Sequence, residues 1–227
     1  MVELIRGLDA EHVRGNLERI RGQIADAAPE REVEILAAVK YVPSDELAVL
    51  GQAGIRLLGE NRAQDLIAKK QAHPGEFTWD FIGQLQSRKV RLLLPWVRYI
   101  HSVASDSALE QLARHGTAET RVLIEVNVAG EEGKSGIAPD QLPEFLERSP
   151  VTVVGLMTMP PFAADPEQSR PYFEALRELA ARHGLRELSM GTSQDYLVAV
   201  QEGATIVRLG TVLYGAGAAF EQAPKAP

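Results

Sequence analysis

Glu34-Ile35-Leu36-Ala37-Ala38-Val39-Lys40 is the stretch on which the fold turns. A short apolar run bounded by charges reads as a buried strand. A helix that Ser44 is placed to cap follows it. Working back toward the start, Val13, Leu17, Ile20 and Ile24 recur at helical spacing, so a first helix is expected from about Asp9 to Ala28. Asp9 is its cap, and Pro29 lies just past its end. Working forward, the pairing of strand and helix repeats. Ile55 to Leu58 precedes a helix from about Arg62, Phe77 to Ile82 one near Ser87 to Leu94, and Arg98 to His101 one from Ser105 to His115 that stops at Gly116. Arg121 to Val128, Val151 to Met157, Glu187 to Met190 and Thr205 to Leu209 complete eight strands. The helix after the sixth strand has two possible starts, Asp165-Pro166 or Ser169, because Pro171 would otherwise sit in a helix interior at a cost of about 3 kcal/mol. Eight short apolar strands with helices between them predict an α/β protein, a (β/α)8 TIM-type barrel with an extra N-terminal helix. The competing architecture, a doubly wound open sheet, normally has fewer strands at this length.

The 227 residues show no linker and no compositional break, so one domain spanning 1–227 is expected, with a frayed tail at 219–227. A net charge of −7 argues against a role dominated by nucleic acid. The basic cluster Arg88-Lys89 with Arg91 reads as a solvated helix face. The absence of cysteine excludes disulfides, thiolate zinc sites and a cysteine nucleophile. The histidines lack metal-ligand spacing, so no metal site is expected. With no signal-like start and no apolar run of about 20 residues, a cytoplasmic protein with no membrane association is expected.

In such a barrel the chemistry gathers where strands end and loops begin, at the C-terminal face. Lys40 ends the first strand. It is either the solvated end of a buried segment or a Schiff-base lysine whose neutral amine is favoured by apolar walls. Arg208 lies between Val207 and Leu209, and a permanent charge inside a parallel strand must find partners. Barrel closure makes the first and eighth strands neighbours, so Lys40 and Arg208 are expected close together. Met190-Gly191-Thr192-Ser193 and Leu209-Gly210-Thr211 follow the last two strands, where barrels usually bind phosphate. Together these features suit a phosphate-bearing aldehyde cofactor. Asn61 either bonds such a ligand or caps the helix beginning there. His101 reads as a satisfied barrel histidine, and Met157 and Met159 as core filler.

Several ordered segments resemble the pyridoxal phosphate homeostasis protein family, related to the N-terminal barrel of alanine racemase. They are Ala38-Val39-Lys40, Gly59-Glu60-Asn61-Arg62, Phe81-Ile82-Gly83-Gln84-Leu85-Gln86 and Ile100-His101-Ser102. Val126-Asn127 leading to Glu132-Gly133-Lys134-Ser135-Gly136, Gly155-Leu156-Met157, Leu188-Ser189-Met190-Gly191 and Val207-Arg208-Leu209-Gly210-Thr211 continue the series. The resemblance covers nearly the whole chain. It implies that Lys40 carries pyridoxal 5′-phosphate (PLP) as a Schiff base, that Arg208 faces the pyridine nitrogen, and that Ser193, Gly210 and Thr211 bind the phosphate. Asn61 belongs to the same cofactor neighbourhood. Thr192 stands where the family commonly has methionine, and Tyr41-Val42 replaces small polar residues.

The function expected is intracellular homeostasis of PLP and of amino and keto acids, by a monomer or weak dimer that carries the cofactor without rapid turnover. PLP-requiring apoenzymes are the expected recipients. The rivals are an amino-acid racemase and a Schiff-base aldolase without PLP, the latter leaving Arg208 without a role. Racemisation needs a second acid/base on the opposite face, which alanine racemase draws from an additional C-terminal domain and a partner subunit. The sequence ends at Pro227, and no such domain is expected.

Overall fold

β1 (Glu34–Ala38) pairs in parallel with β2 (Leu57–Glu60), and the pattern continues through β3 (Thr78–Phe81), β4 (Tyr99–Val103), β5 (Arg121–Glu125), β6 (Thr152–Met157) and β7 (Glu187–Thr192) to β8 (Ile206–Leu209). β8 then returns to β1, with Leu36 opposite Arg208 and Ala37 opposite Leu209. The sheet is therefore a closed barrel in sequence order, and the open doubly wound alternative is excluded. These observations come from a computed structural model that describes residues 4–215. The tail expected at 219–227 lies outside the described residues.

The helices are α1 (Ala10–Ala27), α2 (Leu47–Gln52), α3 (Ala63–Ala72), α4 (Val90–Leu93), α5 (Asp106–His115), α6 (Leu142–Glu147), α7 (Arg170–Arg182), α8 (Tyr196–Gln201) and α9 (Thr211–Tyr214). α1 precedes the barrel and is capped by Asp9, whose carboxylate accepts from the His12 backbone N–H at 2.7 Å. Its Val13, Leu17, Ile20 and Ile24 are buried, each worth about 1.5–3 kcal/mol of apolar burial. Its polar side also grips the end of the fold: Asn16 donates to the carbonyls of Leu213 and Gly215, both at 3.1 Å. Among the described residues no helix is long and apolar enough to cross a membrane.

The two possible starts for the helix after β6 are both used. Asp165 caps a short 3-10 turn, Pro166–Ser169, and α7 begins next with Pro171 in its first turn, where the missing N–H removes no helical bond. Ser44 departs from expectation. It opens a 3-10 turn with Pro43 at the cap position, and its buried hydroxyl has no partner, so it caps nothing. Strand ends also shift. β1 stops at Ala38 because a turn closes from the Val42 N–H to the Val39 carbonyl at 3.0 Å. Lys40 therefore sits in the loop just beyond the strand, at the C-terminal mouth of the barrel.

Candidate functional site

A cavity of about 540 Å³ opens at that mouth. Its lining includes every residue singled out from the sequence as a ligand contact: Lys40, Asn61, Ser193, Arg208, Gly210 and Thr211. The volume falls within the range of small-ligand sites.

Lys40 reaches the cavity from the β1 loop, and its Nζ lies 4.8 Å from the centroid of the exposed Tyr41 ring. Among the described residues the amine makes no hydrogen bond or ion pair with the protein. The loop beneath it is held by a buried ion pair. Lys69 of α3 donates to the Val39 carbonyl at 2.7 Å and to Glu60 at 2.5 Å. The other oxygen of Glu60 accepts from the backbone N–H groups of Asn61, at 2.6 Å, and Arg62, at 3.3 Å. Glu60 thus satisfies the start of α3. The cap position belongs to Arg62, so Asn61 does not cap and faces the cavity. Gly83 packs against it so closely that a Cβ there would lie 2.0 Å from the Asn61 carbonyl oxygen. The Ser102 hydroxyl donates to the Gly83 carbonyl at 2.5 Å.

At the opposite wall the loops after β7 and β8 meet. Ser193 Oγ accepts from the backbone N–H groups of Gly210, at 3.1 Å, and Val212, at 3.4 Å. Thr192, also at the cavity wall, donates its hydroxyl to Asp195 at 3.1 Å, which accommodates a hydroxyl at this position. Gly191 has φ +89°, and a Cβ there would meet Ala199 at 2.6 Å. Hydroxyls and backbone N–H groups are thus gathered at one wall, donors of the kind an anion needs.

Arg208 is nearly sealed, with 6% of its surface exposed. Nη1 donates to the Ser189 carbonyl and hydroxyl, both at 2.6 Å. Nη2 donates to the Thr158 carbonyl at 2.9 Å and contacts Met159 Sδ at 2.8 Å. Burial pushes its pKa down to about 10, against the opposing pull of Asp195 and Glu125. It therefore stays a cation at neutral pH. Met157 is buried and lines the cavity, whereas Met159 is half exposed and touches Arg208, so it is not core filler.

His101 is fully buried with both ring nitrogens bonded, to Ser189 Oγ at 2.8 Å and to Asp80 at 3.0 Å. It is a satisfied barrel histidine, and burial holds its pKa below the ordinary value despite the pull of Asp80. Glu125, not singled out from the sequence, also lines the cavity. Its carboxyl has no hydrogen-bonding partner among the described residues, and burial raises its pKa while Arg208 works against the shift. A charge between Ile124 and Val126, inside an apolar run, is the signal that could have found it.

The fold and site define a barrel with a lysine amine unpartnered among the described residues, a gathering of hydroxyls and backbone N–H groups, and a buried guanidinium at one mouth. A family model described as the alanine racemase N-terminal domain matches residues 8–218. The pyridoxal phosphate homeostasis protein of Aquifex aeolicus is 41% identical over 214 residues, covering 88% of this chain and 94% of its own. That of Pseudomonas aeruginosa is 36% identical with the same coverage. The structure of PipY from Synechococcus elongatus with PLP bound has a TM-score of 0.76 and 31% identity, covering 89% of this chain and all of PipY. The chain belongs to the pyridoxal phosphate homeostasis protein family. Alanine racemase from Corynebacterium glutamicum, with a TM-score of 0.72 and 16% identity, shares the fold.

Proposed function

We propose that this protein binds PLP through Lys40 and serves the intracellular homeostasis of PLP and of amino and keto acids, holding the cofactor for release to PLP-requiring apoenzymes. The observation that carries the reading is the convergence on one cavity of a lysine amine without a partner among the described residues, the Ser193–Gly210–Thr211 cradle and the buried Arg208. These groups fit PLP. When bound, PLP supplies an aldehyde that condenses with a primary amine, forming a C=N bond and releasing water.

Each residue then has a task. Lys40 provides the amine. Ser193, Gly210 and Thr211 would surround the phosphate, the Ser193 and Thr211 hydroxyls as donors, and Asn61 would flank the ring. Arg208, charged at neutral pH, offers a hydrogen bond to the ring nitrogen and does not readily surrender a proton to it. An unprotonated ring withdraws electrons poorly, which favours storage over rapid turnover.

Lys40→Ala tests the reading. It should abolish the near-visible absorbance of protein incubated with PLP while leaving the far-UV circular dichroism unchanged. Borohydride reduction and mass spectrometry of the wild type should place the pyridoxyl group on Lys40. Its recovery on a different lysine would refute the assignment.

A further inference from the structure

We propose that His101, acting through Ser189 and Asp80, fixes the direction in which Arg208 presents its one uncommitted N–H to the cavity, and is thereby a positioning residue for recognition of a ring-nitrogen acceptor. The inference rests on the PLP reading above and extends it to residues that touch no ligand.

A guanidinium has five N–H donors. In Arg208 the two on Nη1 go to Ser189 and the two on Nη2 go to Thr158 and Met159. Among the described residues Nε–H has no acceptor, yet Nε is not one of the sealed, unsatisfied atoms. Arg208 lines the cavity, so this N–H is the donor left for a ligand.

The arrangement holds only if Ser189 Oγ accepts from Arg208, and that requires the serine's own hydrogen to go elsewhere. His101 Nδ1, 2.8 Å away, takes it. Nδ1 can accept only when the ring hydrogen sits on Nε2, and there Asp80 accepts it at 3.0 Å. Asp80 is kept an acceptor by Arg98, which donates to both its oxygens at 3.0 and 2.6 Å. Arg98 also donates to Glu34 at 2.6 and 2.9 Å. Burial alone would raise the pKa of Asp80, but the bonds and charges of His101 and Arg98 outweigh it and hold the carboxylate ionised. The sense of every bond from Glu34, at the start of β1, to Arg208 is therefore set. Asp80, His101 and Ser189 are almost wholly shielded from solvent, so water does not compete for their bonds. Apolar residues would fill such a core with less desolvation penalty.

The test compares PLP with its analogue carrying CH in place of the ring nitrogen, each titrated by absorbance and fluorescence. Wild type should bind PLP about ten- to a hundredfold more tightly than the analogue, the worth of one hydrogen bond from a charged donor. His101→Leu should bring the ratio close to one, with affinity for the analogue little changed. His101→Gln, which keeps one donor and one acceptor, should retain part of the preference. If His101→Leu does not fold, Ser189→Ala, which removes only a hydroxyl, should show the same collapse. A variant that keeps the full preference, or weakens both ligands equally, overturns the proposal. Wild type that binds both equally removes Arg208's role and the proposal with it. Wild type that binds neither overturns the PLP reading itself.

Discussion

Ser193 Oγ already bridges the backbone N–H groups of Gly210 and Val212, so removing it loosens the cradle as well as deleting a donor. Ser193→Ala combined with Thr211→Val should weaken PLP far more than pyridoxal, because only PLP carries the phosphate. Each hydrogen bond to that charged group is worth about 1.5–3 kcal/mol. Parallel titrations of the two ligands check this, and equal losses would place the phosphate elsewhere. At this scale Lys40 and Arg208 were legible because a charge against an apolar run is conspicuous. Glu125 carries the same signal, whereas Ser189 carries none. Which inward side chains meet across a barrel depends on strand stagger, and no local pattern in the sequence carries it. Asn61 reads equally as cap or contact in the sequence, because nothing local shows that the Glu60 carboxylate serves the start of α3.

The βα connections show how elements hold the mouth open. α3 sends Lys69 back under the β1 loop, where it ties Val39 to Glu60. Lys69→Met should leave the Glu60 carboxylate buried and uncompensated, costing about 3–5 kcal/mol in urea unfolding. Adding Glu60→Gln removes the stranded charge and should recover part of that loss. A single variant as stable as wild type would show that the pair contributes nothing. α1, α5 and α7 were legible because each is long and has a clear apolar face, and their caps at Asp9 and Ser105 and the turn at Asp165 follow from residue chemistry. The six-residue α6 and α8 span too few turns for apolar spacing to single them out. Ser44 failed as a cap because the proline before it took that position.

Across the whole molecule, the barrel was legible from eight apolar runs, while its polar interior, running from Glu34 to Arg208, was not. That interior bears on activity. Racemisation needs proton transfer on both faces of a bound amino acid, and a missing acid–base partner is typically worth about 10²–10⁴-fold. Lys40 can serve one face, and burial pushes the Tyr214 hydroxyl above its ordinary pKa, which works against its taking a proton at the other. With Arg208 limiting electron withdrawal as well, purified protein should racemise L-amino acids at well below about 1 s⁻¹, the low end for ordinary enzymes. Chiral chromatography after incubation with L-alanine checks this. Faster turnover would promote the racemase reading, and Glu125→Gln would then show whether its carboxyl serves the second face. The seam between β1 and β8 has a consequence of its own. Lys40 and Arg208 are 168 positions apart in the chain and line one cavity only when β8 pairs with β1. No chain that stops short of β8 can form this pocket. A nascent chain on the ribosome, with β8 still in the exit tunnel, has the amine but not the guanidinium or the Gly210–Thr211 half of the cradle, so the proposed cofactor site cannot assemble until β8 has emerged.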